Sequence, residues 1–150
     1  MIRYELPTGQ SLEAVVDAFD ATWRSKNTVW DGSSSPWSDI KPVFVRLQCG
    51  KCAYCERLIQ ANEAEKKSES DIEHYRPKKK VALTAQNSGR VTGYPWLATS
   101  VGNYLLSCKT CNTTRKKNIF PIFARAGLNK QSIAALNARE QPLLLYPIGD

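Results

Sequence analysis

Histidine occurs once in the 150 residues, no apolar run approaches the length that crosses a bilayer, and no internal repeat is present. The first scarcity means that chemistry needing an imidazole near neutral pH falls on His74 alone. The second argues against a membrane-spanning helix, and no membrane partner is expected. The opening Met1-Ile-Arg-Tyr-Glu-Leu-Pro7 lacks the apolar centre and small-residue cleavage site of a signal peptide, so the expected compartment is the cytoplasm, where thiols stay reduced. Acidic residues are in deficit: 14 Asp and Glu against 21 Lys and Arg leave a net charge of +7. That charge favours a polyanionic partner, nucleic acid before others, although a solvated lysine surface has the same sign. Hydrophobic residues at 42% and charged residues at 23% are a globular composition, and the length fits one domain, 1–150, whose core can lean on a metal.

Ser11 can cap a packing helix over 11–26, because Leu12, Val15, Val16, Phe19 and Trp23 recur at three- and four-residue intervals. Residues 31–38 are polar and turn-rich, an exposed loop leading through Pro42 into the apolar Val43-Phe44-Val45, around which Trp30 and Trp37 are expected to pack. This first third carries no recognisable chemistry. Residues 60–70 and 84–93 are polar and aperiodic, hence loops, the second of which can lie beside a substrate. Tyr94–Ala98 is apolar and core-facing, and Tyr104-Leu-Leu-Ser107 reads as a short strand. A short helix is expected from Asn112, ending before Pro121, and a last one over 129–140.

Cysteine is more informative. Cys52-Ala-Tyr-Cys55 and Cys108-Lys-Thr-Cys111 are two Cys-x-x-Cys pairs separated by residues 56–107. Each such turn brings two thiolates close enough to share one metal, and two turns close a four-cysteine structural zinc site. A redox dithiol is the competing reading of either pair alone, and it leaves the other pair unexplained. Cys49-Gly-Lys-Cys52 is also a Cys-x-x-Cys, but the chain runs directly from Cys55 into Glu56 and the apolar Leu58-Ile59, which favours Cys52 with Cys55 and leaves Cys49 as a spare thiol.

Between and beside the pairs lie His74, next to Glu73, then Asn103 and Asn112. Hydrolysis of a phosphodiester needs a base for water, a cation near the phosphate and a group that holds the base. His74 has a suitable ordinary pKa, Glu73 offers a hard oxygen for Mg2+, and Asn112 and Asn103 offer a carbonyl oxygen and an orienting amide. A lone histidine is more often structural, so the four residues carry weight only as a set. Two basic clusters, Arg76 with Lys78-Lys79-Lys80 and Arg115-Lys116-Lys117, adjoin them and can neutralise phosphates.

These motifs together, Lys51–Glu56, Asp71-Ile-Glu-His-Tyr-Arg-Pro-Lys78, Gly102–Lys116 and Asn118-Ile-Phe-Pro121, resemble the HNH endonucleases with the zinc-bound ββα-metal fold. The resemblance covers about residues 49–123 and is closest to the small HNH proteins of bacterial anti-phage systems of the Septu and retron-associated type, which work beside an ATPase partner. It implies His74 as general base, Glu73 and Asn112 as ligands of a catalytic Mg2+ or similar ion, Asn103 as the residue that orients the histidine, and DNA rather than RNA as substrate. Glutamate stands where many members have aspartate, and strand alternation sends Glu73 and His74 to opposite faces unless the strand ends there, so Asp71 is a reserve ligand. The expected protein is therefore of α+β class, a ββα-metal core stapled by zinc with flanking helices, acting as a metal-dependent endonuclease. Its competitors are a zinc-stapled nucleic-acid-binding module without cleavage and an adaptor whose basic surface docks a protein.

Overall fold

The computed structural model describes residues 3–59, 69–82, 92–124 and 130–149. Ser11 starts α1 (Leu12–Phe19) as expected, its Oγ accepting from the Ala14 N–H at 3.2 Å. The helix does not continue to residue 26. Asp20 turns its carboxylate onto the Thr22 N–H (2.9 Å) and hydroxyl (2.9 Å), a local bond that competes with the helical ladder, and α2 (Trp23–Lys26) begins afresh. The indole N–H of Trp23 then reaches the Pro36 carbonyl at 2.9 Å and ties α2 to a 3-10 turn at Pro36–Ser38.

The apolar Val43-Phe44-Val45 lies in a helix, α3 (Lys41–Leu47), with Pro42 in its first turn, where proline has no hydrogen bond to lose. Val43 and Phe44 are buried. Its C-cap residue, Gln48, is fully buried because its amide satisfies a strand: Oε1 accepts from Leu106 N (2.7 Å), while Nε2 donates to Leu106 O and Lys51 O (both 3.0 Å).

That strand is β2 (Tyr104–Cys108), buried at every position, and it pairs antiparallel with β1 (Ser70–His74). Ser70 faces Cys108 and His74 faces Tyr104. Five residues per strand make an isolated ribbon marginal. Here the edge of β2 turned away from β1 is covered by Gln48 and by Ala53, whose N–H meets the Leu106 carbonyl at 2.9 Å. A π-type helical segment, Thr110–Lys116, follows β2 and stops at Lys117, which takes a left-handed φ of 48°. The last helix, α4 (Ile133–Glu140), starts later than residue 129 because Ser132 supplies the cap, its Oγ accepting from Ala135 N at 3.2 Å. Together these elements form an α+β structure, helices around a small antiparallel sheet. Residues 60–68 and 84–91, read as loops, lie outside the described residues.

Aromatic rings fill the centre. Tyr104 sits edge-on to Trp23, Phe44 and His74 at 5.2–6.2 Å, and the core cluster runs from Tyr4 to Ile148. Arg76 belongs to this interior, which corrects its expected place in a nucleic-acid contact. It is 1% exposed, paired with the buried Glu140 at 3.1 Å and with Asn137 at 2.8 Å, and surrounded by the rings of Tyr75, Tyr94 and Phe120 at 5.0–5.7 Å. Glu140 is held from its other oxygen by the Tyr94 hydroxyl (2.8 Å), so the pair fastens α4 to the chain just beyond β1. Arg76→Ala should lower unfolding stability by about 3–5 kcal/mol, the cost of leaving a buried partner unpaired. Urea denaturation checks this, and a variant as stable as the parent would return Arg76 to the surface role.

Candidate metal centre and adjoining cleft

The sulfurs of Cys52, Cys55, Cys108 and Cys111 all lie within 4.8 Å of one another, with Cys55 and Cys108 at 3.9 Å. Four ligands at about 2.3 Å from a tetrahedral zinc stand about 3.8 Å apart, so the cluster fits a metal ion such as zinc. The tight turn that supplies the first pair is closed by Cys52 N to Arg57 O (3.0 Å) and Glu56 N to Cys52 O (2.9 Å). The second pair spans the end of β2 and the π-type segment, so one ion would join knuckle, strand and helix. Burial raises the Cys55 and Cys111 thiols. It acts on Cys52 too, but the N–H groups of Cys108, Cys55 and Tyr54 aimed at that sulfur win and bring it down to about 6, toward the thiolate that binds metal. Cys49 is exposed and outside the cluster.

β1 ends at His74, and this ending resolves the alternation problem: Glu73 and His74 both line one cleft of about 610 Å³. The His74 ring is held by three neighbours that sequence reading did not name. Its Nε2 lies 3.0 Å from the Ala98 carbonyl, which can only accept, so Nε2 carries the proton and Nδ1 the lone pair. Trp37 meets the ring edge-on at 4.5 Å and Tyr104 at 5.2 Å. Burial, then the positive charge of Lys78, then that of Lys116, hold the pKa of the ring down at about 3, against the opposing pull of the Ala98 carbonyl, so it is neutral at physiological pH.

Asn103 makes no hydrogen bond to the ring. Fully buried, it clamps the backbone two residues on: Oδ1 accepts from Arg76 N (2.8 Å) and Nδ2 donates to Arg76 O (3.0 Å), while the Asn103 carbonyl accepts from Tyr75 N (2.8 Å). The clamp holds the chain where β1 stops. Asn112 lines the cleft with Glu73 and His74, and its amide nitrogen, rather than its oxygen, reaches Asp71 Oδ2 at 3.4 Å. Asp71 thus braces Asn112 and is not among the groups lining the cleft.

The basic residues divide. Lys78, Lys79, Lys80 and Lys117 line the cleft, whereas Arg115 is exposed and outside its lining. Lys116 is a correction. It is 8% exposed, ion-paired with Glu73, and donates to the His74 carbonyl at 2.8 Å, so it serves the interior rather than a bound strand. Burial pushes the Glu73 carboxyl up and the Lys116 ammonium down, and their mutual attraction opposes both shifts. Gly93 shapes the lysine run from behind: a Cβ there would meet the Pro77 carbonyl at 2.5 Å and the Lys78 and Lys79 backbone at 2.7 Å, an approach open only to glycine. Trp30, Ser33, Ser34, Ser35 and Trp37 also line the cleft, with Lys78 Nζ 4.4 Å from the Trp37 ring centroid. The first third therefore does contribute to the cleft, and Trp37 packs on His74. Its signal in the sequence, two tryptophans flanking a serine-rich turn, is indistinct from an ordinary loop.

Among the described residues no helix is long and apolar enough to cross a membrane. No family model matches the chain, and no solved structure matches it. Over 135 residues it is 33% identical to the Septu protein PtuB of Bacillus mycoides (strain KBAB4), a match that covers 90% of this chain and 43% of that protein. The chain thus spans less than half the length of this relative. Metal analysis of natively purified protein should return one zinc per chain. Cys108→Ser should release it and largely unfold the protein, since the binding energy of such a site is folding energy, while Cys49→Ser should melt like the parent; retained zinc in Cys108→Ser would remove the four-thiolate assignment.

Proposed function

We propose that the chain is an endonuclease of the HNH type that hydrolyses a phosphodiester bond of nucleic acid in the cleft beside His74, and that it acts in anti-phage defence, a reading supported by its similarity to the Septu-named protein. The observation that carries this reading is the convergence of the His74 ring, the Glu73 carboxylate and the Asn112 amide on one cleft whose rim bears Lys78, Lys79, Lys80 and Lys117. A phosphate drawn in by the lysines lies against the neutral imidazole. Water attacks the phosphorus as its proton passes to Nδ1, the ester P–O bond to the leaving sugar oxygen breaks, and that oxygen takes a proton from solvent; the Ala98 carbonyl facing the Nε2 proton favours the imidazolium that forms. Phosphate charge beside Lys78 also offsets one of the causes that keep the ring neutral, so basicity rises as substrate binds.

Asn103 and Lys116 act here as positioning residues, one through the Arg76 backbone and the other through the His74 carbonyl and Glu73. Glu73 and Asn112 supply the hard oxygens that a Mg2+ or similar ion accepts, and such an ion keeps several waters and needs only one or two protein carboxylates beside phosphate. When bound it would stabilise charge on the phosphate and the leaving oxygen. The choice of DNA and an ATPase partner follow from the resemblance to anti-phage HNH proteins. A second reading, a nucleic-acid-binding module without cleavage, is favoured by the Glu73–Lys116 ion pair, because that carboxylate already has a cation. Incubation with plasmid and Mg2+ or Mn2+, with metal withheld in the control, separates the two.

Binding should be salt-sensitive. Lys80→Ala and Lys117→Ala should each reduce the slope of log affinity against log salt by about 0.9 on duplex DNA, whereas Arg76→Ala should leave it unchanged; slopes measured by anisotropy that do not respond to the two lysines would make them ordinary surface. His74→Ala should cut the cleavage rate about 10²–10⁴-fold per folded molecule. Because this ring is buried against Trp37, truncation also lowers stability, so the rate is taken well below the melting temperature and set beside the zinc content. Folded His74→Ala protein cutting at the parental rate would end the mechanism.

A further inference from the structure

The Trp30 side of the cleft has no part in the hydrolysis just described, and its construction is specific. Asp31 Oδ1 accepts from Ser33 N (2.8 Å), Ser34 N (3.0 Å) and Ser34 Oγ (3.0 Å), which fixes the turn after Trp30. The indole N–H of Trp30 donates to Ser34 O at 3.0 Å, and the ring leans on Trp37 at 6.1 Å with an interplanar angle of 61°. The half-buried indole is therefore held in one orientation in the lining of the cleft, one aromatic ring removed from His74. Two ammonium groups lie near it: Lys79 Nζ at 5.6 Å from the ring centroid, and Lys78 Nζ at 5.5 Å, the latter closer still to the Trp37 ring at 4.4 Å.

A cation on an aromatic face is weakly held, and an anionic phosphate competes for it with a full opposite charge. Phosphates entering the cleft would draw the lysines toward themselves and uncover the π-face beside the very phosphate they then hold. A base stacks on such a face only when it is free of its own duplex, since paired bases are already stacked. Resting on the nucleic-acid reading above, we propose that Trp30 is a stacking platform for an unpaired nucleobase next to the scissile phosphate, which makes single-stranded or locally unpaired nucleic acid the substrate class.

The test is binding without added divalent cation, by fluorescence anisotropy, to four labelled probes of about 12 nucleotides, inside the usual site size for such grooves. They are oligothymidylate, oligouridylate, an abasic backbone of equal charge, and a duplex. Trp30→Ala should weaken binding of at least one of the two base-bearing single strands about 5- to 100-fold, the range of one lost stack, and change the abasic and duplex probes less than about twofold. The two homopolymers tell DNA from RNA. Trp30→Phe should restore most of the loss, and unchanged zinc content shows that the variants are folded. Equal loss on all probes, or no loss on either single strand, overturns the stacking platform while salt-sensitive binding of the abasic strand leaves the phosphate site standing. Parental protein that binds none of the four overturns the nucleic-acid reading and this inference together.

Discussion

Two strands of five residues joined by a long connection do not hold themselves together, and the rest of this structure answers that constraint. Four sulfurs within 4.8 Å bring the knuckle at Cys52–Cys55 against the end of β2 and the start of the π-type segment. Gln48 and Ala53 cover the exposed edge of β2, and the Arg76–Glu140 pair draws α4 in beyond the end of β1. Each device satisfies backbone or charge that would otherwise lie buried and unpaired. Each also fixes a point on the ribbon, so that the place where β1 stops is determined from three directions.

The same packing sets the chemistry of the cleft. His74 is at once part of the aromatic core, through Tyr104 and Trp37, and part of the cleft wall. Burial keeps the ring neutral, and its Nε2–H donates to the Ala98 carbonyl, leaving Nδ1 unprotonated. Lys116 contributes from below. By neutralising Glu73 and holding the His74 carbonyl, it lets two polar residues share a strand end that is largely closed to water.

Much of this was legible in the residues. The two Cys-x-x-Cys pairs announced their cluster because metal spacing is a local property, and the choice of Cys52 over Cys49 as first ligand agrees with the geometry. Strand β2 and the Ser11 cap were legible for the same reason. The single helix expected over 11–26 was not, because one Asp20 side chain breaks it, and the helix at Lys41–Leu47 was hidden in a run too short for its period to show. The basic clusters misled in part: sequence adjacency cannot distinguish Lys80, which lines a cleft, from Arg76 and Lys116, which are buried by partners 64 and 43 residues away at Glu140 and Glu73.

The sequence by itself determined the ligand set for a metal, the charge that suits a polyanion, and the identity of the one available imidazole. Only the tertiary structure decided which residues share a cleft. Glu73 and His74 face it together because β1 ends there, Asn103 hydrogen-bonds the Arg76 backbone, and a loop from the first third lines it beside the lysines. The physical reason is the range of the forces involved. A thiolate pair is made by a four-residue turn, but burial, which sets the state of His74 and removes two cations from the surface, is a property of everything packed around a group.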